Sequence, residues 1–298
     1  MLISIIITTY NSGKVLIPAI ESILAQEGRY SEFDMEVIVV DDCSTDDTWS
    51  ILSNYEVVKL QNEENSGGPN RGRNKGLEIM QGDYFCIADH DDIWEGDRLK
   101  YALPFLSKAP IISSGFTIFY EDKNDSSVRG RGIDQYFTKN ETFKQKLCRS
   151  RFGQNTYLGS LIIKSDLKNI RFEMVHGCVD FDWVLRIFED NHSYEIGRSL
   201  YKRIVDGGNL SLNAVYRAID LKMSLEVFEK YHLKYPKEVK KGRLRLYSSQ
   251  GKYRYVINDM PGARHYFTKG ELSIKNIIYY LTTFFGRNFI VKQFTIFG

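Results

Sequence analysis

Residues Gly82–Trp94 read GDYFCIADHDDIW. The stretch begins as a short apolar run, Tyr84 to Ala88, and ends in Asp89-His90-Asp91-Asp92. A run that short and that apolar predicts a buried strand of the kind found in parallel sheets. Three carboxylates in four residues at its exit are hard to explain by packing, because like charges at that density repel unless a cation lies between them. In open α/β sheets, ligands bind just outside the carboxyl ends of the strands. The stretch therefore predicts a divalent metal at a sheet edge, holding a phosphorylated ligand.

Upstream, strand-like and helix-like segments alternate. Leu2–Thr8 predicts the first buried strand, and Thr9–Gly13 is a turn cluster. From Val15 to Gln26 the apolar residues recur at helical spacing, with Pro18 near the first turn where it is tolerated. Glu36–Val40 predicts a second strand running into Asp41-Asp42-Cys43-Ser44. Ser44 and Asp47 predict a helix cap for a helix through Leu52, and Val57–Leu60 a weaker third strand. Asn65–Gly76 holds three cations and four glycines: as a bland alternative a solvated loop, functionally a phosphate or nucleotide clamp. Its position before the acidic strand end favours the clamp. Repeated strand–helix–strand order predicts a right-handed, mostly parallel α/β half.

Downstream, a helix is expected over Arg98–Leu106 and strands near Ile111–Tyr120 and Ser160–Ile163, and Leu200–Val205 with Gly207-Gly208 closes the first part. Glu121–Arg131 is polar and reads as a mobile loop, and Val179–Glu189 as a helix. Residues 1–213 carry 24 Lys and Arg against 32 Asp and Glu, whereas 214–298 carry 16 against 6. That asymmetry, and the Lys-, Tyr- and Leu-rich segments from Val215 on, predict a boundary between 213 and 214. Four scattered cysteines without a CxxC pair suit free thiols in a reducing compartment. Cys43 and Cys86 are expected as core thiols. No basic stretch precedes an apolar one at the N-terminus and no run reaches the length of a membrane span, so a cytoplasmic protein is expected.

Two common nucleotide folds fail on sequence. The turn after the first strand is TTYNSGK, neither GxGxxG nor a phosphate-binding GxxxxGK[ST]. The strand-end elements in order are TTYN, VVDDCSTD, the Asn65–Gly76 loop and ADHDD. Together they resemble the inverting family-2 glycosyltransferases of bacterial surface-glycan type, with the GT-A fold. The resemblance is close over about residues 1–110 and looser to about 213. It implies a Rossmann-like, mostly parallel central sheet flanked by helices, with a nucleotide-sugar half (1–110), an acceptor half (111–213) and a basic helical C-terminal extension (214–298).

Residue by residue, the resemblance implies the following. Thr8 and Tyr10 line a base pocket, Asp42 accepts from the ring N–H of uracil, and Asn65 and Arg73 contact base and diphosphate. Asp89 touches ribose or metal through water, and Asp91 ligates Mg²⁺ or Mn²⁺, hard cations suited to oxygen ligands. His90 is not expected as a ligand. A catalytic base is expected in Val179–Trp183, where Asp180 matches the family's aspartate, Val179 departs from its usual glutamate, and Asp182 is the fallback. Either aspartate is alternatively a helix N-terminal carboxylate favoured by the dipole. Trp94 either packs under the metal site or stacks on an acceptor sugar, and His176 is structural or an acceptor-site residue. The expected reaction is inverting transfer from a UDP-sugar to a glycan or undecaprenyl-diphosphate-linked acceptor. Alternatives are transfer to a polyprenyl phosphate, or a non-catalytic sugar-nucleotide-binding protein. The basic, aromatic tail predicts peripheral attachment to an anionic membrane surface at the inner face of the cell membrane. Nucleic acid is disfavoured because no recognised binding module is present.

Overall fold

A computed structural model describes residues 1–121, 124–150, 152–174, 180–205 and 214–286. Its first part alternates strand and helix: β1 (Leu2–Thr9), α1 (Leu16–Leu24), β2 (Asp34–Asp41), α2 (Thr48–Leu52), β3 (Val58–Gln61), α3 (Asn70–Ile79) and β4 (Tyr84–Asp89). Strands β3, β2, β1 and β4 are neighbours in that order, and every pair is parallel. Parallel neighbours need a crossover, which α1, α2 and α3 supply. All of β1 except Leu2 is buried. Covered on both faces, it is apolar without alternation, as its run of isoleucines predicts.

The chain continues through β5 (Ile93–Trp94), α4 (Arg98–Ala102), β6 (Ile111–Tyr120), β7 (Asp125–Arg129), β8 (Gln135–Phe137), α5 (Glu141–Leu147), β9 (Ile162–Lys164), α6 (Phe181–Phe188) and β10 (Ser193–Val205). A 3₁₀ segment, Leu103–Lys108, extends α4. The sheet runs β3-β2-β1-β4-β9-β6-β10-β5, with β7 beside β6 and β8 beside β10. Strand β9 is antiparallel to both β4 and β6, and so joins the two parallel regions. The result is a curled, mostly parallel central sheet with flanking helices, the GT-A arrangement expected from the motifs.

Two local expectations differ from the structure. The polar stretch around Asp125–Arg129 is a strand hydrogen-bonded to β6. Its residues are exposed apart from Val128's half-open neighbour Ser127, which is the polarity of a solvated edge strand. Ser44 does not cap α2: the helix starts at Thr48, and the Ser44 hydroxyl donates to Asp41. The Thr48 N–H instead donates to Asp46 Oδ1 at 3.0 Å.

The chain divides into two compact units, 1–143 with 153–217, and 144–152 with 218–298. The second is built on α7 (Ala214–Tyr231), α8 (Pro236–Val256), α9 (Met260–Lys269) and α10 (Ile274–Thr282). Tyr255, Met260, Ala263, Phe267 and Tyr279 form its small core. This unit takes in 144–152, a segment that the change of composition at 213/214 does not mark. Among the described residues no helix is long and apolar enough to cross a membrane.

Candidate active site

Parallel pairing places the carboxyl ends of β1, β2 and β4 side by side. Thr8 is in register with both Val40 and Asp89, and Thr9 with Asp41. These ends open onto one cleft of about 620 Å³. Thr8, Tyr10, Asp42, Asn65, Arg73, Asp89, Asp91 and Asp180 all line it. Residues spread over 173 positions of sequence thus share one cavity because the topology brings their elements to one edge.

On the β2 side the two aspartates have separate tasks. Asp41 is fully buried and accepts from Ser44 N–H at 3.0 Å and Gln61 Nε2 at 2.9 Å, which fixes the turn. Asp42 reaches the cleft. Its Oδ2 accepts from the N–H and hydroxyl of Ser66 at 2.9 and 3.0 Å, and its Oδ1 from Asn62 Nδ2 at 2.5 Å. A carboxylate has about four lone-pair sites, so these bonds leave acceptor capacity toward the cavity. Asn65 shapes its own loop, accepting from Gly67 N–H at 2.9 Å and donating to the Asp42 carbonyl at 3.3 Å.

The glycines of the next segment are packing devices rather than loop flexibility. A Cβ at Gly72 would lie 2.8 Å from Thr8 Cγ2, and one at Gly76 would lie 2.4 Å from Ile6 Cγ2. Without them α3 could not approach β1 so closely. The approach delivers Arg73 to the end of β4. Its Nη2 lies 3.3 Å from Asp89 Oδ1, its Nη1 donates to Asn70 Oδ1 at 3.3 Å, and its guanidinium stands 5.2 Å from the Phe172 ring centre. Of the three cations expected as a clamp, only Arg73 lines the cleft; Arg71 instead pairs with Glu64 at 3.4 Å.

The acidic turn is crowded. Tyr157 donates to Asp89 Oδ2 at 2.9 Å and approaches Asp92 Oδ2 at 3.5 Å, while Ile204 N–H donates to Asp92 Oδ1 at 3.1 Å. Burial, then the charges of Asp89 and Asp91, push Asp92 up to about 9. Burial also raises Asp91, and the neighbouring Asp89 raises it further. His90 turns its Nδ1 toward the Thr8 carbonyl, 3.2 Å away. The donor set is all oxygen, as hard divalent cations require. Among the described residues, no group of three or more His, Cys, Asp and Glu side chains is placed to hold a metal ion by itself. Asp89 and Asp91 line the cleft and offer carboxylate oxygens, the ligand type such cations take.

Trp94 does not line the cleft; it is 4% exposed, with the Arg98 guanidinium 3.9 Å from its ring centre. This excludes stacking on an acceptor sugar, because Arg98 covers the face. Arg98 is itself buried, 5.4 Å from the Tyr201 ring, and donates from Nη2 to the Gly159 carbonyl at 2.7 Å.

Asp180 occupies the N-cap position of α6, but its side chain makes no capping hydrogen bond. Asp180 lines the cleft. Asp182, two residues on, is turned by roughly 200° about the helix axis. It is buried, accepts from Arg186 Nε at 2.7 Å and does not line the cleft, unlike Asp180. The helix is held by Trp183, which stacks on Phe172 at 4.2 Å and donates to the Ile170 carbonyl at 2.6 Å. His176 and Val179 lie outside the described residues.

Sequence patterns missed Tyr157, Arg203 and Tyr216, which also line the cleft. The Arg203 guanidinium lies 5.1 Å from the Tyr157 ring centre. Burial opposes its charge, but Tyr157 and Asp92 outweigh this and raise its pKa. Nothing local marks these residues; they are recruited through contacts such as Tyr157 with Asp89, 68 positions apart.

The pattern of Glycosyl transferase family 2 matches residues 4–173. The chain is 34% identical over 155 residues to the poly(ribitol-phosphate) β-N-acetylglucosaminyltransferase TarS of Staphylococcus aureus (strain Mu50), covering 51% of this chain and 26% of that protein. It is 33% identical over 174 residues to the putative teichuronic acid biosynthesis glycosyltransferase TuaG of Bacillus subtilis (strain 168), covering 55% and 62%. The matched stretch is thus less than two thirds of either relative's length. The crystal structure of S. aureus TarS 1–349 in complex with UDP-GlcNAc superposes with a TM-score of 0.62 at 21% identity, over 95% of this chain and 79% of that one. At that identity the likeness is one of fold.

Proposed function

The chain belongs to glycosyl transferase family 2, and from that premise we propose that it is an inverting, metal-dependent glycosyltransferase. It would move a sugar from a UDP-sugar to a hydroxyl of a glycan or lipid-linked acceptor in bacterial cell-surface polysaccharide synthesis, at the inner face of the membrane. One observation carries this reading: Asp42, Arg73, Asp89 and Asp91 share a single cleft with Asp180, whose carboxylate is not used as a helix cap. The relatives add support. TarS is named as a β-N-acetylglucosaminyltransferase and has been crystallised with UDP-GlcNAc, and TuaG is named for teichuronic acid synthesis.

In this mechanism Thr8, Tyr10 and Asp42 receive the uracil base, with Asp42 accepting its ring N–H. Arg73 and Arg203 present positive charge to the diphosphate. Mg²⁺ or Mn²⁺, held by Asp91 with Asp89 beside it, would supply charge neutralisation for the departing diphosphate. Asp180 takes the proton from the acceptor hydroxyl, whose oxygen bonds to the anomeric carbon. The bond to the diphosphate oxygen breaks on the opposite face and its electron pair leaves with UDP, so an α-linked donor gives a β-linked product. Preorganised charge at the leaving group and a base across the sugar are what such a displacement needs.

The test is a panel of UDP-, GDP- and dTDP-sugars, with Mg²⁺, Mn²⁺ or chelator, scored by release of nucleoside diphosphate. UDP release that needs a divalent cation is expected. Undiminished release in chelator would overturn the metal assignment, and equal release from the other nucleotides would overturn the donor assignment.

A further inference from the structure

Helix α10 is apolar on the side that faces water. It buries Asn276 and Tyr279 in the second unit, and Tyr279 belongs to that unit's core. On the other side Ile274, Ile277, Ile278 and Leu281 are 79%, 42%, 45% and 54% exposed. At about 100° per residue these four fall within an arc of roughly 100°. The chain then turns through Phe284 and Phe285, 61% and 69% exposed. Scattered exposed leucines need no explanation, but a contiguous stripe of this width marks an interaction surface.

The charge of the region that carries the stripe selects the occupant. Residues 214–298 hold 16 Lys and Arg against 6 Asp and Glu. Three of those six acids each neutralise one cation of the same region, Asp259 with Arg254 at 3.1 Å, Glu271 with Arg245 at 3.5 Å, and Glu229 with Arg243, and the region keeps a surplus of ten cations. Lys269, at the end of α9, and Lys275, on α10 itself, are exposed and make no ion pair among the described residues. Two copies meeting through this face would bring like charges together. An anionic bilayer offers the opposite charge and an apolar layer beneath it. A helix with an outward apolar stripe and flanking cations lies in the plane of lipid headgroups.

We infer that α10, continued by Phe284 and Phe285, is the element that docks this chain on an anionic lipid bilayer. The inference rests on the reading of a membrane-borne acceptor for its purpose, but not for its geometry. It names the docking residues within a basic tail whose charge alone does not locate them.

The test is flotation of the full chain with vesicles of phosphatidylglycerol and phosphatidylcholine in equal parts, against phosphatidylcholine alone. The protein should float with the first and stay behind with the second. Ile278→Glu with Leu281→Glu should lower the bound fraction at least about tenfold, and Lys269→Gln with Lys275→Gln several-fold, with circular dichroism unchanged in both. Failure of the wild type to float, or flotation of the Glu variant like wild type, would overturn the assignment. So would a wild-type dimer on size exclusion that the Glu variant breaks while flotation is unaffected. UDP release from soluble donor is scored in the same preparations, so that loss of activity and loss of docking are read separately.

Discussion

At Asp180 the carboxylate stands at the first turn of α6 without bonding to the helix N–H groups, so replacing it removes chemistry and little structure. Asp180→Asn should lower kcat by about 10²–10⁴ with donor KM and thermal unfolding unchanged; full turnover in the variant would refute the assignment of the base. At Asp91 the expectation differs: Asp91→Asn should raise the concentration of Mn²⁺ needed for half-maximal activity, and an unchanged metal titration would count against it as a ligand. Cys86 is fully buried in β4, and burial pushes its thiol up to about 11. A thiol reacts as its thiolate, so at pH 8 Cys86 should stay unlabelled by an aromatic disulfide until the protein is unfolded. Peptide mapping that finds it modified in the native state would contradict the packing. Cys43 is only half-buried, in a turn with φ of 63°, and is not the core thiol its sequence context predicts. The acidic residues were legible one at a time because charge at the end of an apolar strand has no packing explanation. Tyr157 and Arg203 were not, because a tyrosine in a loop and an arginine in a strand are ordinary until the fold sets them against Asp89 and Asp92.

Among the elements, α3 packs over β1 and lines the cleft through Gly72 and Arg73. The segment NRGRNKG is a poor helix former by composition, since glycine disfavours helices by about 1 kcal/mol relative to alanine. It is helical because the glycines let α3 pack tightly over Thr8 and Ile6. Gly76→Ala should therefore destabilise the protein by about 1–3 kcal/mol despite its better helix propensity. The urea midpoint is the measurement, and a neutral or stabilising result would show that Ile6 can yield. Strands β1, β2 and β4 were readable from their runs of Ile and Val, buried on both faces. Strand β7 was not, because an edge strand exposes polar side chains and so resembles a loop in composition.

On the scale of the molecule, the break in charge near residue 213 points to a second unit but not to all of it. Leu147, Cys148 and Arg149 belong there: Arg245 Nη1 donates to the Cys148 carbonyl at 2.9 Å, and Arg149 Nη1 donates to Ser224 at 2.9 Å. A chain ending at residue 217 removes these partners. Trypsin should then cut after Arg149 faster than in the full chain, while equal rates would show that 144–152 holds its conformation unaided.

Hydrophobic pattern and local motif determined, without coordinates, the alternating α/β order, the strand-end position of Asp42, Asp89 and Asp91, and the basic C-terminal region. Those features depend on residues near one another in the chain, where periodicity and charge density act directly. Only the tertiary structure decided that Asp180 rather than Asp182 lines the cleft, that Trp94 lies under Arg98, that Tyr157 and Arg203 join the acidic turn, and that α10 turns its isoleucines to solvent. Each of these is a choice of which side of an element meets which partner, and burial and pairing between distant segments make that choice.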